Sequence, residues 1–267
     1  MEPRRAVPVA LADEARFAGR LATDAVRLLL ELRERHADQH PDGPDVKALK
    51  DAGDRTSHEF LVAALAEARP SDAVLSEEGA DDPARLDADR VWIVDPLDGT
   101  REFGEGRSDW AVHVALWVRG HDGPAGELAV GAVGLPDGVT LISTPAPAAP
   151  QASDGPPRVV ASRTRAPAVV ADVVAALGGE QVPLGSAGAK IAAVVRGQAE
   201  AYVHSGGMWE WDSAAPVAVA RAAGLTAVRL DGTPLRYNLE RPYLPDLIVC
   251  RPDLTEAVLG AVRVSGG

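Results

Sequence analysis

A continuous apolar run, Arg90-Val91-Trp92-Ile93-Val94, breaks off at Asp95-Pro96-Leu97-Asp98-Gly99-Thr100, and this junction constrains the chain more than any other stretch. The run reads as a strand. Pro96 prevents its regular continuation. Asp95 and Asp98, three apart, can then both turn toward one point, with the carbonyl of Leu97 left free between them. Hard divalent cations take such oxygen ligands, and Mg²⁺ in particular is held by few carboxylates plus substrate phosphate. Just downstream, Gly99-Thr100 lets backbone N–H groups face an anion. A carboxylate cage beside a backbone anion site is the arrangement that metal-assisted phosphate hydrolysis requires.

Three more acidic clusters sit where regular elements begin or end. Asp54 closes Lys50-Asp51-Ala52-Gly53-Asp54, just ahead of an expected helix; Glu77-Glu78-Gly79 follows the short strand Ala73-Val74-Leu75-Ser76; Asp212, in Trp209-Glu210-Trp211-Asp212-Ser213-Ala214-Ala215, opens another helix. Each has an ordinary reading as a turn, a helix cap or a solvated loop. Their shared position at element ends is what sets them beside Asp95 and Asp98 as candidate ligands.

Helical spacing of Ala18, Leu21, Ala22, Ala25, Leu29 and Leu32 predicts one long amphipathic helix over Leu11 to His36, ended by the Pro/Gly/Asp-rich stretch His40 to Asp45. A second helix is expected from about Thr56 to Arg69. Trp110 to Val118 and Leu128 to Val133 read as strands joined by a turn across Gly120 to Gly126. In the second half, strands are expected at Val159 to Ser162, Glu200 to Val203 and Leu244 to Cys250. Helices are expected at Ala166 to Leu177, Lys190 to Arg196, Ser213 to Ala223 and Leu254 to Val264. This mixture in both halves predicts an α+β fold of stacked layers. The aperiodic Thr144 to Pro157 stretch is the expected boundary between an N-terminal lobe, 1–145, carrying most of the metal ligands, and a C-terminal lobe, 146–267, completing the site as one functional unit.

The 267 residues suffice to bury a core without staples, and 46% hydrophobic with 25% charged residues is ordinary for a globular chain. With 27 basic against 39 acidic side chains the net charge is −12, so no nucleic-acid polymer is expected as a partner. The single cysteine, Cys250 in Leu247-Ile248-Val249-Cys250, excludes an intramolecular disulfide and reads as a small buried hydrophobe. No window reaches the ~18 apolar residues of a membrane span. Met1 to Val9 carries arginines without an apolar stretch behind them, so no secretory signal is expected and the expected location is the cytoplasm.

An aspartate, then Glu-Glu, then Asp-Pro-x-Asp-Gly-Thr, then Trp-Asp-x-Ala-Ala is the ordered pattern of the inositol monophosphatase superfamily. This chain resembles it at Asp54, Glu77-Glu78, Asp95 to Thr100, and Trp211 to Ala215. The resemblance narrows to the CysQ-type 3′(2′),5′-bisphosphate nucleotidases, in their actinobacterial form. It does so through Val91 to Phe103, Asp109-Trp110-Ala111-Val112-His113, Gly185 to Lys190, Trp209 to Pro216, Leu230-Asp231-Gly232 with Pro234 to Asn238, and Pro242 to Asp246. Two features separate the chain from the inositol-specific branch: Arg101-Glu102-Phe103 stands where Thr-Asn-Phe is usual, and Ser205 where an acidic residue holds sugar hydroxyls. A guanidinium at Arg101 suits a substrate with a second phosphate. The chain departs from the better-known nucleotidases at Gly185-Ser186-Ala187-Gly188-Ala189-Lys190, where Gly-Ser-Ser-x-Lys is frequent. There Lys190 reads either as a substrate contact or as a solvated first-turn lysine, and His113 as a satisfied core histidine.

What the resemblance implies is a layered αβαβα sandwich and a Mg²⁺-dependent hydrolysis of 3′-phosphoadenosine 5′-phosphate to AMP and phosphate. The 5′-phosphosulfate analogue is a second candidate substrate. It implies a first Mg²⁺ on Glu77, Asp95 and the Leu97 carbonyl, a second on Asp95, Asp98 and Asp212, and a third, weaker one by Glu77. It assigns the chemistry to Asp54, Glu77 and Thr100, and substrate contacts to Gly99, Thr100, Arg101, Ser186, Lys190 and His204. A homodimer, lithium sensitivity and no membrane partner are part of the same expectation. Two alternatives stay open on the sequence: an inositol-1-phosphate or fructose-1,6-bisphosphate phosphatase, and a non-catalytic phosphonucleotide or Mg²⁺ sensor.

Overall fold

The computed structural model describes residues 9–40, 43, 45–120, 126–151 and 154–265. The tip of the expected Gly120 to Gly126 turn (121–125), residues 41, 42 and 44 of the first helix stop, and 152–153 of the expected boundary lie outside the described residues, as do 1–8. Five layers follow from the alternation of side chains along two five-stranded sheets. In the first sheet the order is β1 (Ala73–Ser76), β2 (Arg90–Asp98), β3 (Ala111–Val118), β4 (Glu127–Gly134) and β5 (Thr140–Ile142), with β1 parallel to β2 and the rest antiparallel. In the second it is β7 (Glu180–Leu184), β6 (Arg158–Ser162), β8 (Ala201–Trp209), β10 (Tyr243–Cys250) and β9 (Thr226–Val228).

Trp92, Val94, Val112, Val114 and Leu116 point to one face of the first sheet and bury against α1 (Val9–Gln39) and α2 (Val46–Ala68). The residues between them, Val91, Ile93, Ala111 and Ala115, point the other way, into a middle layer made by α5 (Ala187–Val195) and α6 (Ala214–Ala222). Tyr202, Leu247 and Val249 close that layer from the second sheet. Beyond it, Val159, Ala161, Val203 and Ile248 pack on α4 (Val169–Leu177) and α7 (Thr255–Ser265). The period of two along each strand thus builds the αβαβα sandwich. Cys250 is buried in this last cluster, with its thiol pushed up to about 11 by burial.

One element corrects the sequence reading in a way that matters for the site. The second helix starts at Val46, not near Thr56, with the Asp45 side chain accepting the Ala48 N–H at 3.0 Å. Its buried stripe runs Leu49, Gly53, Ser57, Leu61, Leu65, an i,i+4 row in which two of five residues are not conventionally apolar. A Cβ at Gly53 would come within 2.9 Å of Leu97 and Phe103, so this glycine is a close-packing position inside the helix. Asp54 is therefore inside α2 rather than ahead of it. The short strands β5, β7 and β9 and the five-residue helix α3 (Thr100–Gly104) carry too little periodicity to be read from sequence.

Candidate active site

Strict alternation along β2 would send Asp95 to the middle layer and Asp98 to the opposite face. The register slips instead: Asp95 lies opposite His113 and Asp98 opposite Ala111, three steps on β2 against two on β3. This bulge at Pro96-Leu97 turns Leu97 into the outer core and returns Asp98 to the same face as Asp95. Ser57 of α2 anchors it by donating to the Pro96 carbonyl at 2.6 Å. Glu77 arrives beside Asp95 because β1 runs parallel to β2 with Ser76 opposite Val94. Asp212 comes from the second sheet, in the turn between β8 and α6, where its Oδ2 accepts the Trp209 N–H at 2.6 Å.

Asp95, Asp98 and Asp212 each offer an oxygen within 4.8 Å of the others. Asp95 is fully buried; its Oδ1 accepts the Leu97 N–H at 3.0 Å, whereas its Oδ2 has no hydrogen-bond donor among the described residues. A buried carboxylate oxygen with no donor, facing further carboxylates, is costly unless a cation or a proton occupies the gap. Burial and then the charges of Glu77, Asp98 and Asp212 push Asp95 well above the usual carboxylate range. Desolvation on the inner side of the cleft likewise carries Glu77, whose outer side is open to solvent, up to about 7, and burial carries Asp212 up to about 6. Asp98 goes the other way. Burial opposes its charge, but His113, the Gly188 N–H and Lys190 outweigh it and hold its carboxyl below the ordinary value. The donor set, all hard oxygen and negatively charged, fits Mg²⁺.

These shifts set a sign for stability. Without metal, Glu77 and Asp212 keep protons between about pH 4 and 7 that the unfolded chain has already released, so stability falls as pH rises through that window. Added Mg²⁺ should relieve that repulsion. We expect the rise in melting temperature on adding Mg²⁺ to EDTA-treated protein to be small at pH 5 and large at pH 8, by differential scanning fluorimetry. An equal rise at both pH values would contradict the cluster as the metal site.

On the rim of this cluster the Thr100 hydroxyl donates to Asp54 Oδ1 at 3.0 Å and lies 3.2 Å from the Leu97 carbonyl. Burial raises Asp54 to about 6, more than the Thr100 bond lowers it. Gly99 holds φ +93° at the turn into α3, a left-handed conformation, and a Cβ there would come 2.9 Å from Ser186 and 3.1 Å from Trp110. The remaining sequence candidates have defined partners. Arg101 is exposed on α3, bonded to Glu105 and Thr164. Ser186 caps α5, accepting the Ala189 N–H. His204 on β8 is bonded through Nε2 to the Gly207 carbonyl. Lys190 is not a solvated first-turn lysine: it is buried, bonded to the Gly185 carbonyl and seated over the Tyr202 ring, because α5 turns that face inward.

Two buried charged residues outside the carboxylate cluster carry no sequence signal strong enough to single them out. Buried Arg85 binds Asp81, Asn238 Oδ1 and the Leu239 carbonyl, while buried Glu210 accepts the Asn238 and Leu239 N–H groups at 2.7 and 2.9 Å. Together they clamp the 238–239 loop between the segment after Glu77 and the segment before Asp212. Among the described residues no helix is long and apolar enough to cross a membrane.

Comparison with known proteins agrees with this architecture. The chain is 49% identical over 258 residues to the 3′-phosphoadenosine 5′-phosphate phosphatase of Mycobacterium leprae, covering 94% of this chain and 93% of the relative. It is 32% identical over 207 residues to the 3′(2′),5′-bisphosphate nucleotidase CysQ of Escherichia coli K12, covering 72% and 81%. The crystal structure of CysQ from Bacteroides thetaiotaomicron superposes with a TM-score of 0.73 at 28% identity, covering 91% of this chain and 99% of that one. The inositol monophosphatase family pattern matches residues 11–147 and 152–265. With its carboxylates drawn from both sheets onto one point, this chain belongs to the inositol monophosphatase family.

Proposed function

We propose that the chain is a Mg²⁺-dependent phosphomonoesterase that removes the 3′-phosphate of 3′-phosphoadenosine 5′-phosphate, giving AMP and phosphate, with the 5′-phosphosulfate analogue as a second substrate. The observation that carries the reading is the buried Asp95 oxygen, without a donor among the described residues, at the meeting point of Asp98 and Asp212 and beside Glu77. The names of the mycobacterial and enterobacterial relatives support the nucleotide as substrate. The lobes 1–145 and 146–267 act as one unit in this proposal, since Asp212 joins ligands that all precede residue 100.

Glu77, Asp95 and the Leu97 carbonyl would hold one Mg²⁺, and Asp95, Asp98 and Asp212 a second, with a third by Glu77. Bound Mg²⁺ supplies charge neutralisation for the phosphate and acidity for water. The chain's own groups do the rest. Backbone N–H groups of Gly99 and Thr100 donate to the phosphate. The Thr100 hydroxyl accepts a proton from the attacking water as its own passes to Asp54, which the 3.0 Å bond between them supports. Water oxygen bonds to phosphorus, the P–O3′ bond breaks, and the 3′-oxygen takes a proton from a solvent water as it leaves, so no covalent phosphoenzyme forms.

Arg101, Ser186, Lys190 and His204 are assigned to the rest of the substrate, and Arg101, with its side chain 44% exposed, to the 5′-phosphate. Arg101→Met should raise KM for 3′-phosphoadenosine 5′-phosphate about tenfold, the loss of one charge-assisted phosphate contact. It should leave adenosine 3′-phosphate, which lacks the second phosphate, unaffected. Equal effects on both esters would remove Arg101 from this role. The function itself is tested by comparing phosphate release from 3′-phosphoadenosine 5′-phosphate, inositol-1-phosphate and fructose-1,6-bisphosphate: a clear preference for the nucleotide is expected, and a preference for either sugar ester would overturn it. A homodimer in solution belongs to the same proposal and is read by light scattering.

A further inference from the structure

Among the described residues His113 is the one imidazole in the interior of the carboxylate cluster, and hydrolysis as derived above makes no use of it. Its ring is fully buried on β3. Nδ1 donates to the carbonyl of Trp211 at 2.9 Å, the residue immediately before Asp212. Nε2, on the far side of the ring, lies 3.3 Å from Asp98 Oδ2. Asp95 Oδ2 stands 4.0 Å from Nδ1. The ring thus touches a carboxylate carried by the first sheet with one nitrogen and the turn carrying a carboxylate from the second sheet with the other. The third wall is Gly188 of α5: a Cβ there would lie 2.0 Å from Nε2 and 2.9 Å from Asp98 Oδ2. The Gly188 N–H donates to that same oxygen at 2.5 Å.

We propose that His113 is a positioning residue whose ring sets the separation between Asp98 and the Trp211-Asp212 turn, and with it the geometry available to a cation held between the two sheets. The inference rests on the cation-site reading above. The physical reason is that the two carboxylates belong to different sheets and repel one another, so nothing in their own interaction fixes their spacing. Asp98 also has the backbone donors of Ala187 and Gly188, and Asp212 has that of Trp209. Each of those bonds fixes one carboxylate to its own neighbourhood. The imidazole, rigid and two-ended, spans from one to the other. Groups that hold ligands from outside the coordination sphere set affinity in the same way, and their loss costs 10- to 100-fold.

The side-chain amides of asparagine and glutamine separate the two ends. An asparagine nitrogen falls near the Nδ1 position and can still donate to the Trp211 carbonyl; a glutamine amide falls near Nε2, which approaches Asp98 to 3.3 Å without a hydrogen bond among the described residues, and keeps a polar group against that carboxylate. The test is calorimetric titration of Mg²⁺ into EDTA-stripped and dialysed protein, without substrate, for the parent, His113→Ala, His113→Asn and His113→Gln. Near-ultraviolet circular dichroism in EDTA establishes that each is folded. We expect His113→Ala to bind Mg²⁺ about tenfold more weakly, with Asn and Gln each recovering part of the loss. Activity should fall mainly through a higher Mg²⁺ requirement and return toward the parent kcat at saturating Mg²⁺. A folded His113→Ala with parental Mg²⁺ affinity overturns the inference. If alanine does not fold, parental affinity in both the asparagine and glutamine variants overturns it equally. Parent protein that binds Mg²⁺ in a His113-dependent way yet leaves the nucleotide intact would sink the proposed reaction and not this inference.

Discussion

Asp95→Asn is expected to lower kcat/KM roughly 10³-fold while leaving the metal-free protein at least as stable as the parent. Both halves have one cause. Asp95 is fully buried, with one oxygen unpartnered and Glu77, Asp98 and Asp212 around it. Burial and the neighbouring carboxylates favour the protonated form of its carboxyl in the metal-free protein, and asparagine is the neutral isostere of that form. Folding therefore loses nothing, whereas a cation loses the ligand shared by both proposed sites, and several kcal/mol of charge stabilisation correspond to about three decades in rate. The check is a Mg²⁺-saturated rate together with a melting temperature in EDTA at pH 8. Asp98→Asn makes the contrast: its two oxygens accept the Ala187 and Gly188 N–H groups, and an amide NH₂ would face one of those donors. That variant should be inactive and also less stable by about 1–3 kcal/mol. Near-parental activity in Asp95→Asn, or a melting temperature in EDTA many degrees lower, would contradict the account.

Thr100→Val should cost about 10²-fold in kcat with Mg²⁺ affinity unchanged, and Thr100→Ser should keep most of the rate. Valine matches threonine in shape but lacks the hydroxyl that hands a proton to Asp54, a contribution in the range of general acid–base catalysis. Asp54, raised to about 6 by burial, accepts that proton only when ionised. The acid limb of kcat should therefore fall near pH 6, with activity present above it and lost as pH drops through it. Asp54→Asn should flatten that limb at a low rate. A Thr100→Val enzyme retaining more than about a third of the parental kcat would remove the pair from the reaction.

The strand run Val91 to Val94 and the two aspartates after it were legible because a buried strand is a dense signal and proline is unambiguous punctuation. What sequence alone does not reveal is why the pair converges. The answer is a register slip against β3, and pairing partners some fifteen residues away do not announce their offset. Asp54, which the sequence places ahead of a helix, lies within one, since Gly53 and Ser57 break the apolar stripe that would extend it. His113 reads from sequence as a core residue, and it is fully buried; its position between Asp98 and the Trp211 carbonyl depends on which loop of the second sheet packs over β3. Arg85 and Glu210 meet only across the 238–239 loop, about 125 residues apart in sequence, and so carry no local pattern at all.

The most direct test of the central claim is phosphate release from 3′-phosphoadenosine 5′-phosphate by the parent protein in Mg²⁺ and in EDTA, with the nucleotide product identified by ³¹P magnetic resonance. The account requires AMP and inorganic phosphate in Mg²⁺ and no turnover in EDTA. Undiminished turnover in EDTA, or adenosine 3′-phosphate as the product, would contradict it.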